Sequence, residues 1–280
     1  MRRRSGRAPA RDPDGGASLR VSMRGYRLLP FQLGVLVALV AAWQITTQRH
    51  WVDPFFFSQP SAIGARVAEW FVKGSIYRHL WTTALETVLA FLVGAGLGVA
   101  FGFAFARSAG LSGIFDPYLK IANALPRVVL APIFTLWFGL GILSKVAFGV
   151  TLVFFIVFFN TYQGIRDVDR NLINNTRMLG ANERDLIRHV LLPSAMVWIL
   201  SSLHTSVGLA LVGAVVGEYL GSARGLGYMI AQAEGTFDTT GVFAGMTVLA
   251  AFTLVVDMVV TWVERRLLAW KPAAAHSERA

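Results

Sequence analysis

Residues 174–193 read Asn-Asn-Thr-Arg-Met-Leu-Gly-Ala-Asn-Glu-Arg-Asp-Leu-Ile-Arg-His-Val-Leu-Leu-Pro, and this stretch decides how the chain is interpreted. It forms most of segment 164–192, the longest polar stretch between two apolar segments. Asn182 is suited to cap a short helix, with Asp185 three residues later in the position of a capping box. The sequence therefore predicts a short capped helix in the middle of this polar segment.

Gly180 separates that helix from a second helical piece before it, since glycine allows a sharp turn. Leu186, Ile187 and Val190 supply an apolar face, and Pro193 begins the next apolar segment. We expect a rigid two-piece knob whose apolar face docks in the groove of a partner. The alternative, from composition alone, is a solvated loop held by salt bridges.

The whole chain is too apolar to be an ordinary soluble protein. Of its 280 residues, 55% are hydrophobic and 15% charged, and the mean hydropathy is +0.54. Soluble domains average about 45–50% apolar and about 25% charged residues. A bilayer core about 30 Å thick needs about 20 residues of helix. The sequence predicts an all-α polytopic membrane protein with six spans, at 28–45, 80–105, 114–138, 142–162, 194–220 and 242–263.

The net charge of +10 is distributed as a membrane topology requires, and it does not indicate a nucleic-acid partner. With both termini in the cytoplasm, 18 of the 26 lysines and arginines lie in inside segments and 6 in outside ones. We expect residues 1–27 to be a disordered basic tail near the bilayer surface, and residues 264–280 to be a second cytoplasmic tail. A short helix at 61–72 would lie on the membrane or pack against the spans.

Two spans carry glycines at intervals of four residues. These are Gly94, Gly98 and Gly102 in the second span, and Gly213 and Gly217 in the fifth. This spacing puts the glycines on one helix face and lets another helix approach closely. We expect helix packing at both stripes. A moving interface in a translocation path is the functional alternative.

Polar side chains in the fifth span indicate that it lines an interior. Ser202, His204 and Thr205 lie in its inner half and Glu218 near its outer end. Because polar groups facing lipid are costly, these four are candidate residues of a translocation path.

Ionisable residues also occur inside other spans, namely Glu86, Arg127 and Asp257. Structural ion pairs and a proton relay are the two interpretations.

The chain lacks the motifs of covalent chemistry. It has no cysteine, no phosphate-binding Gly-rich loop and no Ser nucleophile elbow, and its five histidines lack metal-ligand spacing. We therefore expect no catalytic residue, no metal site and no enzymatic activity in this chain.

The polar segment resembles the signature loop of inner-membrane permeases of ATP-binding-cassette importers. That loop reads Glu-Ala-Ala, three residues, Gly, nine residues and an Ile-x-Leu-Pro-like ending. The residues that fit it are Arg177, Leu179, Gly180, Ala181, Val190, Leu192 and Pro193. Residues 174–176 depart from it, because Asn-Asn-Thr replaces Glu-Ala-Ala. Segments 123–132, 136–139 and 212–228 are similar to the nitrate, sulfonate and taurine branch, so the resemblance covers about residues 54–270.

The resemblance implies a MetI-like type I permease bundle in the bacterial inner membrane, with its core domain at about 76–262. Two permease copies, usually identical in this branch, would form the path for a small solute such as a sulfonate, nitrate or taurine. A cytoplasmic ATPase dimer would bind ATP and Mg²⁺, so this chain itself would hold no cofactor. An extracytoplasmic binding protein would deliver the solute. The residues coupling the permease to the ATPase would be Arg177, Leu179, Gly180, Ala181, Asn182, Asp185, Leu186 and Pro193.

Two other classes of transport protein remain as alternatives. A secondary transporter would need intramembrane coupling groups and often shows repeated halves, and no internal repeat is visible in this sequence. A channel subunit would not need a structured inner loop.

Overall fold

A computed structural model describes the backbone of residues 17–267 and the side chains of residues 30–266. Within these limits every regular element is helical. The elements are α1 (Ala17–Gln48), α2 (Pro54–Phe57), α3 (Pro60–Val72), α4 (Ser75–Arg107), α5 (Ala109–Ala124), a 3-10 turn (Arg127–Leu130), α6 (Ala131–Phe138), α7 (Ile142–Arg166), α8 (Arg170–Met178), α9 (Glu183–Leu186), a π-helical turn (Ile187–Leu191), α10 (Leu192–Leu220), α11 (Leu226–Gly235) and α12 (Thr239–Leu267).

The predicted all-α membrane class is confirmed. Five helical segments of the described chain are long and apolar enough to cross a bilayer, and a sixth crossing requires a bent pair of helices. The third predicted span, 114–138, is not one straight helix, because the chain turns by 88° between Ala124 and Arg127. Leu125 is extended, with φ −66° and ψ 134°, ahead of Pro126. A proline ring disfavours helical geometry in the residue before it, and this breaks the helix.

The first and last helices extend into the segments predicted as tails. The helix α1 begins at Ala17, inside the segment assigned to a disordered tail, while residues 1–16 lie outside the described range. At the other end, α12 continues to Leu267, and the rest of the predicted tail is outside the described residues.

The chain divides into two compact units, one ending at Ala62 and the other beginning at Ile63. In the first unit, the Gln44 side chain joins the end of α1 to the start of α3. Its Nε2 donates to Ser61 Oγ at 3.1 Å, and its Oε1 accepts from the Ser61 N–H at 3.0 Å.

The core of the second unit is the packing of α4 and α10 against α7. A Cβ added at Gly94 or Gly98 would lie 2.7 Å from the Cβ of Val153 or Val157 on α7, closer than side-chain carbons approach. On α10, a Cβ at Gly213 would lie 2.6 Å from the Cα of Gly149. Both glycine stripes thus lie where the helix backbones touch.

Shorter helices pack on the end of this bundle opposite α8 and α9. The predicted helix at 61–72 is present as α3, and its Val67 and Trp70 pack on a cluster that contains Leu226 of α11. Arg66 also donates to Asp238 at 2.5 Å. These contacts favour packing against the protein over the interfacial alternative. No pattern in the sequence predicted α11.

Candidate functional site

The polar segment between α7 and α10 folds into two short helices. We call residues 170–191 the inner knob, after the side of the membrane that the charge distribution predicts for it. Gly180 separates α8 from α9 with φ +85°, a left-handed conformation that favours glycine. The predicted capping box is present. Asn182 Oδ1 accepts from the Asp185 N–H at 3.0 Å, and Asp185 Oδ2 accepts from the Asn182 N–H at 3.3 Å. Sharp turn and capped helix together give the knob a defined shape.

Glu183 connects the knob to the helix bundle. Its Oε2 accepts from Arg107 Nη2, at the end of α4, and its Oε1 accepts from Arg177 Nη2 in α8; both distances are 2.8 Å. Hydrogen bonds from Arg107 and Arg177 hold the pKa of Glu183 below its ordinary value. Glu183 is therefore ionised at neutral pH and braces the two halves of the knob against α4.

The base of the knob is apolar and packs on the protein's own helices. Leu186 is 2% exposed, and it belongs to a buried cluster that includes Ile165 of α7 and Ile199 of α10. The prediction that Leu186 lies on a docking face is therefore wrong. The same holds for Val190, which is buried in this cluster. The amphipathic pattern is real, but its apolar face is turned toward the bundle.

The most exposed apolar side chains of the knob lie at the turn. Leu179 is 89% exposed and the preceding Met178 is 79% exposed. Sequence reasoning included Leu179 and missed Met178. The local signal for both was an apolar pair directly before the glycine of the turn. The remaining predicted coupling residues Arg177, Gly180, Ala181, Asn182 and Asp185 lie on the same turn and at the start of α9.

Pro193 explains how the knob joins α10. Proline has no N–H, so the carbonyl of His189, four residues earlier, lacks its usual helical donor. The chain forms a π-helical turn over Ile187–Leu191 before α10 begins at Leu192. The end of the knob and α10 therefore form one continuous helical segment.

A cavity of about 920 Å³ lies beside the knob, between α5 and the ends of α4 and α7. Arg107, Arg166 and Lys120 line it, together with Asp116, which pairs with Lys120 at 2.6 Å. Because Arg107 also binds Glu183, the cavity wall and the knob share a residue.

The four predicted path residues are not brought together. His204 lines a separate apolar cavity of about 440 Å³ between α4, α10 and α12, and its Nδ1 lies 2.8 Å from Glu264 Oε2. Ser202 is buried and donates to the Ile199 carbonyl, whereas Thr205 is exposed. Glu218 is fully buried near the other end of α10. Their role in a path stays a prediction.

No group of three His, Asp or Glu side chains in the described part of the chain is arranged to hold a metal ion.

The chain is similar to known proteins in family, in sequence and in structure. The family model described as "Binding-protein-dependent transport system inner membrane component" matches residues 93–269. An aliphatic sulfonates transport permease protein of Bacillus subtilis is 34% identical over 83% of this chain and 84% of its own length. A formylaminopyrimidine transport permease protein of Halalkalibacterium halodurans is 31% identical over 89% of this chain and 98% of its own length. A solved structure of the MetNI methionine ABC transporter, in an inward-facing conformation, matches with a TM-score of 0.59 and 17% identity over 69% of this chain and 95% of that one.

Proposed function

The chain belongs to the family of inner membrane components of binding-protein-dependent transport systems, and we propose that its inner knob couples it to a separate ATPase. The protein is a permease subunit of an ATP-binding-cassette importer and a multi-pass protein of the bacterial inner membrane. Its part in transport is to provide a path across the bilayer. The chemical energy comes from outside this chain.

One observation carries the coupling proposal, namely the exposed apolar pair Met178 and Leu179 on a rigid polar turn. Large apolar side chains outside the bilayer are costly to hydrate and mark a contact surface. Gly180 sets the turn, and the two hydrogen bonds to Glu183 link α9 to α4 and to α8. A rigid apolar tip with a polar rim is the arrangement that protein interfaces use at their centre.

The motion of an ATPase would pass through the knob by two routes. One is the Arg107–Glu183 hydrogen bond, which leads into α4. The other is the continuous helix from Ile187 into α10. ATP and Mg²⁺ bound by the ATPase dimer shift the permease between states only through their different affinity for the closed and open dimers. A rigid knob is required, because a mobile one would absorb the motion.

We assign the remaining partners from the same division of labour. Two copies of this chain form the path, and an extracytoplasmic binding protein delivers the solute. The solute is small. The two relatives are named for an aliphatic sulfonate and for a formylaminopyrimidine, and neither name fixes it here. The 920 Å³ cavity lined by Arg107, Lys120 and Arg166 is the candidate inner end of the path.

Reconstitution tests this function. The genes beside that of the permease are searched for an ATPase with a phosphate-binding loop and for a binding protein. The permease is co-expressed with them, and the purified complex is placed in proteoliposomes. We expect ATP hydrolysis that the loaded binding protein stimulates, and solute uptake that requires ATP. Uptake driven by an ion gradient alone would indicate a secondary transporter, and passive flux would indicate a channel. Either result contradicts the proposal.

A further inference from the structure

Three ionisable side chains are buried together at the end of the bundle opposite the inner knob. Glu86 of α4 and Lys145 of α7 are each 1% exposed, and Glu218 of α10 is 0% exposed. Charges buried within membrane-spanning helices are costly unless they are paired and hydrogen-bonded. The protonation state of this group therefore has to follow from the donors and acceptors around it.

Glu218 accepts hydrogen bonds on both carboxylate oxygens. Thr83 Oγ1 donates to Oε1 at 2.6 Å, and the Gly227 N–H donates to Oε2 at 2.7 Å. A Cβ added at Gly225 would lie 2.1 Å from Glu218 Cδ, so the carboxylate fits only against bare backbone. Because each carboxylate oxygen already accepts one hydrogen bond, these donors stabilise the ionised form. Glu218 is thus the ionised member of the group.

Glu86 has the opposite surroundings. Its Oε2 meets no donor among the described residues, and its carboxyl group is close enough to Glu218 for the two groups to interact electrostatically. Two ionised carboxylates are both acceptors and cannot hydrogen-bond to each other, whereas one proton between them makes the contact favourable. Because Glu218 already accepts from two other donors, the proton belongs to Glu86.

Lys145 completes the charge balance. Its Nζ donates to the carbonyls of Leu140 and Gly141, at 2.6 and 3.1 Å, and its charge acts on both glutamates. The ammonium and the Glu218 carboxylate cancel if Glu86 is neutral. His79 Nδ1 also contacts the loop backbone, because it lies 3.1 Å from the Gly225 nitrogen and 3.2 Å from the Gly225 carbonyl oxygen, and each tautomer can make one of these hydrogen bonds.

We propose that Glu86, Lys145 and Glu218 form a charge-neutral site that keeps one proton on Glu86, and that ionised Glu218 is the positioning residue for loop 221–227. The loop leads directly into α11, and its backbone is held by Glu218, Thr83 and His79. The Leu226 N–H donates to Thr83 Oγ1 at 2.9 Å, which adds a second link through the same hydroxyl. The orientation of α11 then depends on a carboxylate buried in the bundle.

If Glu86 is protonated and Glu218 is ionised, replacement by glutamine should be tolerated at Glu86 and not at Glu218. In Glu86→Gln the amide N–H replaces the donated proton, and the charge balance is unchanged. In Glu218→Gln the amide N–H can face Thr83 only if the Thr83 hydroxyl turns its proton toward the His79 carbonyl oxygen, 3.2 Å away. In either orientation of the amide, Lys145 loses its counter-charge. A merely space-filling role would make the two variants alike.

The experiment uses the purified full-length chain in lipid nanodiscs and measures two quantities. The first is the thermal midpoint, which we expect to fall by about 5–10 °C in Glu218→Gln and by less than about 2 °C in Glu86→Gln. The second is the infrared band of a protonated carboxyl group at neutral pH, present in the wild type and lost in Glu86→Gln. A band unchanged by Glu86→Gln, or equal loss of stability in both variants, overturns the proposal.

A milder variant covers the case in which Glu218→Gln does not fold. Thr83→Val removes a donor to Glu218 and the acceptor for Leu226 while keeping the side-chain volume. The chain has no cysteine, so Ser222→Cys can report on loop 221–227. We expect its reaction with a polar maleimide to be at least about tenfold faster with Thr83→Val and unchanged with Glu86→Gln. An unchanged rate with Thr83→Val contradicts the positioning role.

Discussion

Arg107, the last residue of α4, donates a hydrogen bond to Glu183, the first residue of α9, across 76 positions of sequence at 2.8 Å. The contact ties a long apolar helix to the turn that carries Met178 and Leu179. The second oxygen of Glu183 is occupied by Arg177, so one carboxylate sets the position of both halves of the inner knob.

Loss of this contact should loosen the knob without unfolding the bundle. We expect Arg107→Ala to raise amide hydrogen exchange across residues 170–191 and to lower the stimulation of ATP hydrolysis in the reconstituted complex. Arg184→Ala removes an exposed arginine from α9, the helix that begins with Glu183, and serves as the control. Equal exchange in the two variants would contradict the bracing role of Arg107.

The same contact has a defined pH dependence. The folded-state pKa of Glu183 is lowered by hydrogen bonds from Arg107 and Arg177. Ionised Glu183 therefore stabilises the folded knob fully when the pH is above the ordinary pKa of glutamate. This stabilisation is lost as the pH falls through the lowered pKa of Glu183 in the folded state. The protection factors of the knob amides, corrected for the intrinsic pH dependence of exchange, should be constant near neutral pH and fall only in acid, where Glu183 is protonated. The Glu183→Gln variant should show the acid-like exchange already at neutral pH.

The glycine stripe on α4 offers a matched pair of substitutions. A Cβ at Gly98 would lie 2.7 Å from Val157 Cβ and 3.0 Å from the Phe154 carbonyl oxygen, whereas a Cβ at Gly96 meets nothing within 4 Å. Overpacking of this kind costs about 1–3 kcal/mol. We expect Gly98→Ala to lower the thermal midpoint in detergent and Gly96→Ala to leave it unchanged or raise it slightly. Similar midpoints would show that α4 and α7 do not touch there.

The long helices were predictable from sequence, whereas the bend in the third span and α11 were not. About 20 apolar residues identify α4, α7 and α12 through length alone. Hydropathy averages over Pro126, so it cannot reveal that the helix breaks at Leu125. The segment 226–235 is too short to stand out, and its backbone is held by Glu218, a residue nine positions from Gly227. Such tertiary contacts leave no periodic signal.

In the knob, the helix start could be predicted from the sequence, whereas the partner of the apolar face could not. Capping chemistry is local, so Asn182 and Asp185 identified the start of α9 correctly. An apolar face, by contrast, shows only which residues point the same way. Whether Leu186 meets a partner or its own bundle depends on α7 and α10, which are distant in sequence.

The effect of a substitution at Gly180 should depend on whether the new residue tolerates a positive φ, and not on the volume of its side chain. Its φ is +85°, and a Cβ there would meet nothing within 4 Å. Asparagine tolerates this left-handed region, whereas a β-branched residue does not, with a difference of about 1–2 kcal/mol. We expect Gly180→Asn to retain the ATPase on co-purification and Gly180→Val to lose it. If both variants retain it equally, the turn geometry is unimportant for coupling.

Topology can be tested because the chain contains no cysteine. The charge distribution predicts that the knob is cytoplasmic and that loop 221–227 is outside. A membrane-impermeant maleimide should therefore label Ser222→Cys in intact cells and label Asn182→Cys only after the membrane is permeabilised. External labelling of Asn182→Cys would invalidate the topology and the coupling proposal together.

Substitutions at Leu179 and at Leu186 should have different effects, because the first residue is exposed at the tip of the knob and the second is buried at its base. Leu179 is 89% exposed, so Leu179→Ala removes little buried surface and should leave the thermal midpoint unchanged. Leu186 is 2% exposed, and truncation of a buried leucine costs about 2–5 kcal/mol, so Leu186→Ala should lower the midpoint. The second measurement is retention of the ATPase by folded permease. Leu179→Asp is expected to reduce it at least about tenfold, because a charge replaces apolar contact area at the tip, and Leu179→Met is expected to preserve it. Full retention by Leu179→Asp would show that the exposed apolar tip is not the contact surface, whatever the fate of Leu186.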